Sequence, residues 1–442
     1  MALARFHLAP LPCLVALLLS SASSSYGYSV LSHEAIVDSL WDAPIQKILL
    51  KRFPAATPGE LEEAHAYAYG GCIIQDMGYY PFANKLFSDL THYVRSGDFV
   101  LALINESQDL DEYAFALGAL AHYAADVSGH GIGVNPAVPI LYPALRNKFG
   151  AIVTYWDNPV SHIRTEFGFD VLQVAQGRYA SDSYRKFIGF KIAKPVLERA
   201  FTDTYGLEMK DLFGGHLDLA LGTYRYTTSS LIPEMTRLAW QLRSETIVKE
   251  APGTTKRKFL FNLSRSSYEK DWGTDYQKPG VRARLLSFVL RMVPKSGPFK
   301  GLAFRAPNQQ VEAMFMKSFN TTIDQYRAML VNESTDHLEL PNKNFDTGAL
   351  TAPGDYLGAD LAYDKLLSKL ADKKFAGVSA ELRGNILTFY DARKAPVTGP
   401  LASDTTDKEA VKRDAKAAAA LQKVTVELEQ LRQFQIAVVA AQ

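Results

Sequence analysis

The stretch LGALAHYAADVSGHG, residues 117–131, places two histidines and an aspartate among small and apolar residues. Residues four apart share one face of a helix, so His122 and Asp126 point the same way, and His130 follows where glycines loosen the chain. Burying an imidazole and a carboxylate costs on the order of several kcal/mol unless they pair, form hydrogen bonds or bind a metal. The stretch therefore predicts a buried helix with a polar site.

A second pair with the same spacing favours a metal site over a single histidine and aspartate that only hydrogen-bond to each other. In NPVSHIRTEFGFD, His162 and Glu166 are again four residues apart, and imidazole and carboxylate are ligands that zinc prefers. Eight histidines follow residue 27, and five of them lie in segments of similar setting. These five are His33, His92, His122, His130 and His162.

The first 27 residues have the order of features that is typical of a secretory signal peptide. Arg5 precedes an apolar run, and Ser25-Tyr26-Gly27 places small residues at a cleavage site, which predicts export and a mature chain that begins at Tyr28. The free amine and carbonyl oxygen of Tyr28 can then chelate a metal together with His33. Cleavage removes Cys13 and leaves only Cys72, so no internal disulfide is expected.

The order and spacing of these residues resemble the zinc-dependent phospholipase C family and the related single-strand-specific zinc nucleases, over roughly residues 28–240. The resemblance implies an all-helical fold that binds three zinc ions in a cleft. In that family an N-terminal tryptophan chelates one zinc, and here Tyr28 takes its place. Asp76, in GGCIIQDMGYYP, and His92, in FSDLTHYVRSGDF, lie about as far apart as their family counterparts.

The resemblance also implies a ligand set. Tyr28 and His33 hold one zinc, and Asp126 bridges it to a second zinc. The other ligands of the second zinc are Asp76, His92 and His122. The third zinc takes His130, His162 and Glu166. Asp76 is the candidate catalytic carboxylate, which orients the attacking water. Only three residues separate Asp126 from His130, a departure from the family that predicts a reshaped cleft.

Such a zinc centre hydrolyses phosphodiesters, and three functions stay open. The first is a phospholipase C that acts on phospholipid at a membrane surface, and the second is a nuclease that cleaves single-stranded nucleic acid. The third is a helical protein that binds metal without catalysis. Removal of the signal peptide leaves equal numbers of basic and acidic side chains. Global charge therefore gives no argument for nucleic acid, and we favour lipid.

Helical periodicity with few alternating runs predicts an all-α fold, in which a large phospholipase C-like domain is followed by additional C-terminal helices. No stretch after the signal peptide approaches the 18 consecutive apolar residues typical of a membrane-spanning helix. The predicted divisions are the signal peptide 1–27, the metal-site domain 28–242, a basic and apolar insertion or connecting segment 243–305, a helical extension 306–394, a linker 395–406 and a terminal helix 407–442.

Two further polar residues bear on the site. Asp157, in YWDNPVSH, either orients His162 as a carboxylate behind the ligand or forms a turn before Pro159. His65 lies near Glu62 and Glu63 at a helix start, and we expect it to be exposed or half-buried.

Overall fold

The structure is a computed structural model that describes residues 29–176, 191–228, 304–392 and 421–434. Within these ranges every regular element is a helix, and one isolated antiparallel bridge joins Lys343 to Leu350. The predicted all-α fold is confirmed. The signal peptide, Tyr28, nearly all of the basic segment and the linker lie outside the described residues.

The fold is a succession of helices joined by turns and short loops. The helices are α1 Val30–Leu40, α2 Gln46–Arg52, α3 Pro58–Gly71, α4 Lys85–Tyr93, α5 Ser96–Asn105, α6 Leu110–Ser128, α7 Asn135–Leu141, α8 Pro143–Phe149, α9 Pro159–Gln176, α10 Lys194–Tyr205, α11 Met209–Phe213, α12 Leu217–Tyr226, α13 Gln309–Ser334, α14 Leu357–Asp372, α15 Ala380–Asp391 and α16, residues 421–434. A 3-10 turn spans Ile74–Tyr79, and π turns span Trp41–Ile45 and Gly129–Val134.

Helix α6 passes through the core. The Asp109 side chain caps it by accepting a hydrogen bond from the Glu112 backbone N–H at 2.8 Å. From Glu112 to Ser128 every residue is buried, as the residue types around His122 predict. Because the whole circumference is enclosed, the polar groups of this helix must find partners inside the protein.

Two glycines let α3 and α6 approach backbone to backbone. A Cβ on Gly118 would lie 2.1 Å from the Ala68 carbonyl oxygen, and one on Gly71 would lie 1.9 Å from the Phe115 carbonyl oxygen. No larger residue fits at either position without separating the helices. The close contact brings the end of α3, with the Cys72 carbonyl, next to His122.

Helices that follow residue 303 pack on the same core. In α13, the Tyr326 hydroxyl donates to the Leu117 carbonyl of α6 at 2.8 Å. In α16, part of the predicted terminal helix, Val424 and Leu431 are buried, whereas Leu421 is 46% exposed. Among the described residues, no helix combines the length and the apolar character needed to cross a bilayer.

Candidate metal centre

Three helices and one 3-10 turn bring five of the predicted ligands into two neighbouring groups. His33 comes from α1, Asp76 from the 3-10 turn, His92 from α4, and His122 with Asp126 from α6. All five are buried with at most 1% exposure. The first group is His33 with His122 and Asp126, the second is Asp76 with His92 and His122, and the donor atoms within each group lie within 4.8 Å of one another.

The donor atoms of these two groups are spaced like ligands of a common ion. His122 Nε2 lies 3.3 Å from Asp126 Oδ2, and His92 Nε2 lies 3.5 Å from the same oxygen and 3.2 Å from Asp76 Oδ1. His33 Nε2 is 3.6 Å from Asp126 Oδ1. Two ligands about 2.0–2.1 Å from a tetrahedral zinc are themselves about 3.3 Å apart. Asp126 therefore has one oxygen toward each group, as a bridging carboxylate requires.

Backbone carbonyls fix which nitrogen of each histidine faces the cluster. The Nδ1–H groups of His92 and His122 donate to the carbonyls of Ser88 at 2.8 Å and Cys72 at 2.9 Å. A carbonyl only accepts, so Nδ1 carries a hydrogen and Nε2 is the nitrogen that faces the cluster. His130 is held in the same way, because its Nδ1 donates to the Phe345 carbonyl at 2.8 Å.

The third group consists of His130 on the π turn and His162 and Glu166 on α9. His130 Nε2 is 3.8 Å from Glu166 Oε1, and the His130 and His162 ring centroids are 5.1 Å apart. His162 Nδ1 lies 2.5 Å from Glu166 Oε1, which is a direct hydrogen bond. A metal in this group must replace that bond, whereas the first two groups already have the spacing of ligands.

Asp170 ties the helix that carries His33 to the helix that carries His162. It lies four residues after Glu166 on α9, and its carboxylate accepts from the backbone N–H groups of Leu31 at 3.0 Å and Ser32 at 3.2 Å. The Ser32 hydroxyl also donates to it at 2.6 Å. A carboxylate at the N-terminus of α1 satisfies free N–H groups and offsets the helix dipole. This contact sets where His33 enters the site.

Electrostatics in the first two groups favour the metal-binding protonation states of Asp126 and His33, whereas they raise the pKa values of Asp76, His92 and His122. Burial alone would raise the pKa of Asp126, but the neighbouring His122 and His92 outweigh it and hold the pKa well below its usual range. Burial lowers the pKa of His33 to about 3, with a further contribution from His122. The site thus offers a carboxylate anion and a neutral imidazole. His92 behaves oppositely, since its contacts with Asp126 and Asp76 outweigh burial and raise its pKa to about 10, so a metal must displace its proton.

In the third group, the ionised form of the Glu166 carboxyl needs a nearby cation. Burial raises the pKa of Glu166 well above its usual range, and it lowers the pKa of His162 to about 4. Burial outweighs the opposing effect of His130 on Glu166, so the surrounding side chains do not by themselves favour the ionised carboxylate. A divalent ion would supply the positive charge.

Several buried donor atoms lack a hydrogen bond, which tests whether zinc fits. Within the described part of the chain, both carboxylate oxygens of Asp76 and Asp126, Nε2 of His92 and of His122, and Oε2 of Glu166 make none of acceptable geometry. Buried polar atoms of this kind are rare in native proteins unless an ion or water satisfies them. Nitrogen and oxygen donors in groups of three are the set that zinc binds. The residues fit zinc.

Residues 32–215 match the family model described as zinc dependent phospholipase C. This segment is therefore similar to zinc-dependent phospholipase C domains. The predicted resemblance is thereby confirmed for the part of the chain that holds every described candidate ligand. No curated protein and no solved structure gives a significant match.

The structure separates the two interpretations of Asp157 and corrects the one for His65. Asp157 Oδ2 accepts from the backbone N–H and the hydroxyl of Thr154, each at 2.9 Å, so Asp157 forms the turn and is not hydrogen-bonded to His162. His65 is buried, contrary to expectation, because its ring stacks on Trp41 at 3.8 Å and its Nε2 is 3.0 Å from Asp38.

Sequence reasoning missed several residues that hold the ligands in place. Asp170 had a detectable signal, because it continues the four-residue spacing of His162 and Glu166 on α9. Asn135, Phe345 and Asp346 had none, since they lie in segments of ordinary polar composition and touch the site only through the tertiary fold.

Proposed function

We propose that this protein is an exported phospholipase C that hydrolyses the phosphodiester of a phospholipid headgroup with three bound zinc ions. The observation that carries the proposal is the convergence of three buried donor groups inside the family-matched segment. The proposed ligands are those of the sequence analysis, with Tyr28 and His33 on the first zinc, Asp126 shared with the second, and His130 on the third.

Zinc, when bound, lowers the pKa of water toward neutrality and stabilises negative charge on phosphoryl oxygens. The chain's own groups orient the reaction. Asp126 is held as an anion between the first two groups by His122 and His92. Asp76, whose Oδ1 lies 3.2 Å from His92 Nε2, is the carboxylate that orients the attacking water and accepts its proton. In the net reaction water adds to phosphorus, the phosphorus–oxygen bond to glycerol breaks, and diacylglycerol leaves.

An exposed apolar edge beside the third group supports a lipid substrate. The Tyr155 ring stands edge-on to His162 at 5.9 Å between centroids. The next residue, Trp156, is 41% exposed and abuts Gly358, where an added Cβ would lie 3.3 Å from the indole. Leu357, the neighbour of that glycine, is 53% exposed. Exposed aromatic and aliphatic side chains close to the candidate metal centre favour contact with acyl chains and headgroups of a membrane.

The first experiment measures metal and activity on the same preparation of signal-cleaved protein. Elemental mass spectrometry should find close to three zinc per chain. Vesicles of phosphatidylcholine should release diacylglycerol and phosphocholine, and single-stranded DNA should stay intact under the same conditions. Protein treated with chelator is the control, and added zinc should restore its activity.

Each other result has a distinct meaning. Hydrolysis of the DNA and not of the vesicles would replace the lipid substrate with a nucleic acid. Three bound zinc ions with neither substrate cleaved would indicate a metal-binding helical protein without this catalysis. An absence of zinc after reconstitution would overturn the whole proposal.

A further inference from the structure

A loop far outside the family-matched segment lies against the candidate metal centre. We call this loop, residues 343–348, the 345 loop. The Phe345 backbone N–H donates to the His92 carbonyl at 3.1 Å, and its ring centroid lies 5.1 Å from that of His92 and 5.9 Å from that of His122. Gly348 permits the approach, because its φ is +72° and an added Cβ would lie 2.4 Å from the Val127 carbonyl oxygen at the end of α6.

The 345 loop binds the outer nitrogen of His130. The Phe345 carbonyl accepts the Nδ1–H at 2.8 Å, and Asp346 Oδ1 is 3.6 Å from the same nitrogen. This arrangement turns His130 Nε2 toward Glu166 Oε1, 3.8 Å away on the opposite side of the ring. A carboxylate and a carbonyl thus face one edge of the imidazole, while the candidate metal ligand faces the other.

Asp346 is itself held firmly. Its side chain is fully buried, and the hydroxyls of Tyr93, at 2.8 Å, and Tyr356 both donate to Oδ2. These two bonds leave Oδ1 on the His130 side, and among the described residues it makes no hydrogen bond of acceptable geometry. The carboxylate therefore presents one oxygen, in a fixed orientation, to the histidine.

Asn135 connects the same loop to His162. Its Nδ2 donates to the Asp346 carbonyl at 2.6 Å, and its Oδ1 accepts from His162 Nε2 at 2.8 Å. The 345 loop therefore orients both histidines of the third group. It contacts His130 directly, and it holds Asn135, which hydrogen-bonds to His162.

We propose that Asp346 is a positioning residue of the third metal site and that the 345 loop completes this site from outside the family domain. The inference rests on the proposed zinc centre. Partners of this kind on the far nitrogen of a ligating histidine fix its tautomer and orientation and raise its basicity, and their loss typically weakens metal binding about 10- to 100-fold.

The test compares zinc affinity site by site in the full-length, signal-cleaved protein, by equilibrium dialysis against graded zinc buffers. Asp346→Asn keeps the size of the side chain and removes its charge. We expect one of the three sites to weaken about 10- to 100-fold and the other two to change less than about threefold. His130→Ala identifies the site, because it should remove the same one.

Asp355→Asn is the matched control, since Asp355 is an exposed carboxylate only nine positions along the chain; it should leave all three affinities unchanged. Tyr356→Phe removes one of the two hydroxyls on Asp346 and keeps the ring, so it should weaken the same site to a smaller extent. This variant also provides the measurement if Asp346→Asn does not fold.

Two results would overturn the inference alone. One is a lower unfolding temperature of the metal-free Asp346→Asn protein with all three zinc affinities intact, which would assign Asp346 a purely structural role. The other is equal weakening of all three sites. If the unmodified protein binds no zinc, the proposed function fails together with the inference, and that outcome is seen before any variant is made.

Discussion

Three of the candidate ligand histidines are oriented by a hydrogen bond on the ring nitrogen that faces away from the metal centre. His92, His122 and His130 each direct Nε2 inward because a backbone carbonyl occupies Nδ1. A ring that is fixed in this way loses no rotational freedom when a metal binds, so the site is organised before binding.

His122 lies in both of the first two groups, so its removal should have the largest effect. We expect His122→Ala to lose at least one zinc per chain, together with the proposed phospholipase C activity, and to be destabilised by about several kcal/mol, since Asp126 loses a facing partner in a buried setting. Elemental mass spectrometry and thermal unfolding measure both effects. His216→Ala, at an exposed histidine, is the control; full zinc content in the His122 variant would remove this residue from the ligand set.

Asp111, in the first turn of α6, makes the stability of the protein depend on pH. Partial burial and the neighbouring Glu63 and Asp109 raise its pKa from 3.8 to about 6. The folded state therefore binds this proton more tightly than the unfolded state, and stability is lost as the pH rises from about 4 through 6. Asp111→Asn should be more stable than the unmodified protein at pH 7.5, by at most about 1 kcal/mol because solvent screens a half-exposed group. The advantage should shrink at pH 4.5, and an equal difference at both values would contradict the assignment.

At the scale of elements, the site depends on how closely α3 and α6 pack. Gly118 and Gly71 allow this contact, and the contact delivers the Cys72 carbonyl to His122. The pair of helices therefore determines both core packing and the orientation of a metal ligand.

Gly118→Ala should disturb packing and site together. The new methyl would lie 2.1 Å from the Ala68 carbonyl oxygen, and such overpacking costs about 1–3 kcal/mol. Urea unfolding should show the loss, and zinc affinity should fall as His122 loses its carbonyl. Gly222→Ala is the matched control, because Gly222 lies in α12 with nothing within 4 Å of an added Cβ. That change should stabilise the protein by about 0.5–1 kcal/mol; equal effects of the two substitutions would contradict the packing argument.

At the scale of the whole molecule, the candidate ligands link segments from α1 to α9, and the 345 loop extends the connection to residue 346. Metal bound by such distant segments stabilises only the folded chain.

Removal of metal should therefore lower global stability. A ligand at about 100 times its Kd contributes about 2.7 kcal/mol per site, which corresponds to about 5 °C in Tm for a domain of this size. Differential scanning calorimetry with and without chelator measures the shift, and added zinc should reverse it while magnesium should not. An unchanged Tm would mean that the donor groups hold no metal in solution.

The sequence predicted the all-helical fold and the two pairs of histidine and carboxylate because both are local properties, whereas the family resemblance implied the ligand roles of Asp76 and His92. Apolar periodicity specifies a helix, and a spacing of four places His122 with Asp126, and His162 with Glu166, on one face. Burial of His65 escaped prediction, since stacking on Trp41 depends on how two segments meet.

What the sequence determined by itself is the chemistry available, namely the histidines, the carboxylates and the helices that carry them. Only the tertiary structure decided which of these groups come together and which other residues hydrogen-bond to them and orient them. The Phe345 carbonyl accepts a hydrogen bond from His130 across 215 positions of the chain. Gly118 permits the close contact between α3 and α6 because it has no Cβ. Contacts of this kind leave no periodic pattern in a sequence, because they depend on the packing of distant segments and not on the spacing of neighbouring residues.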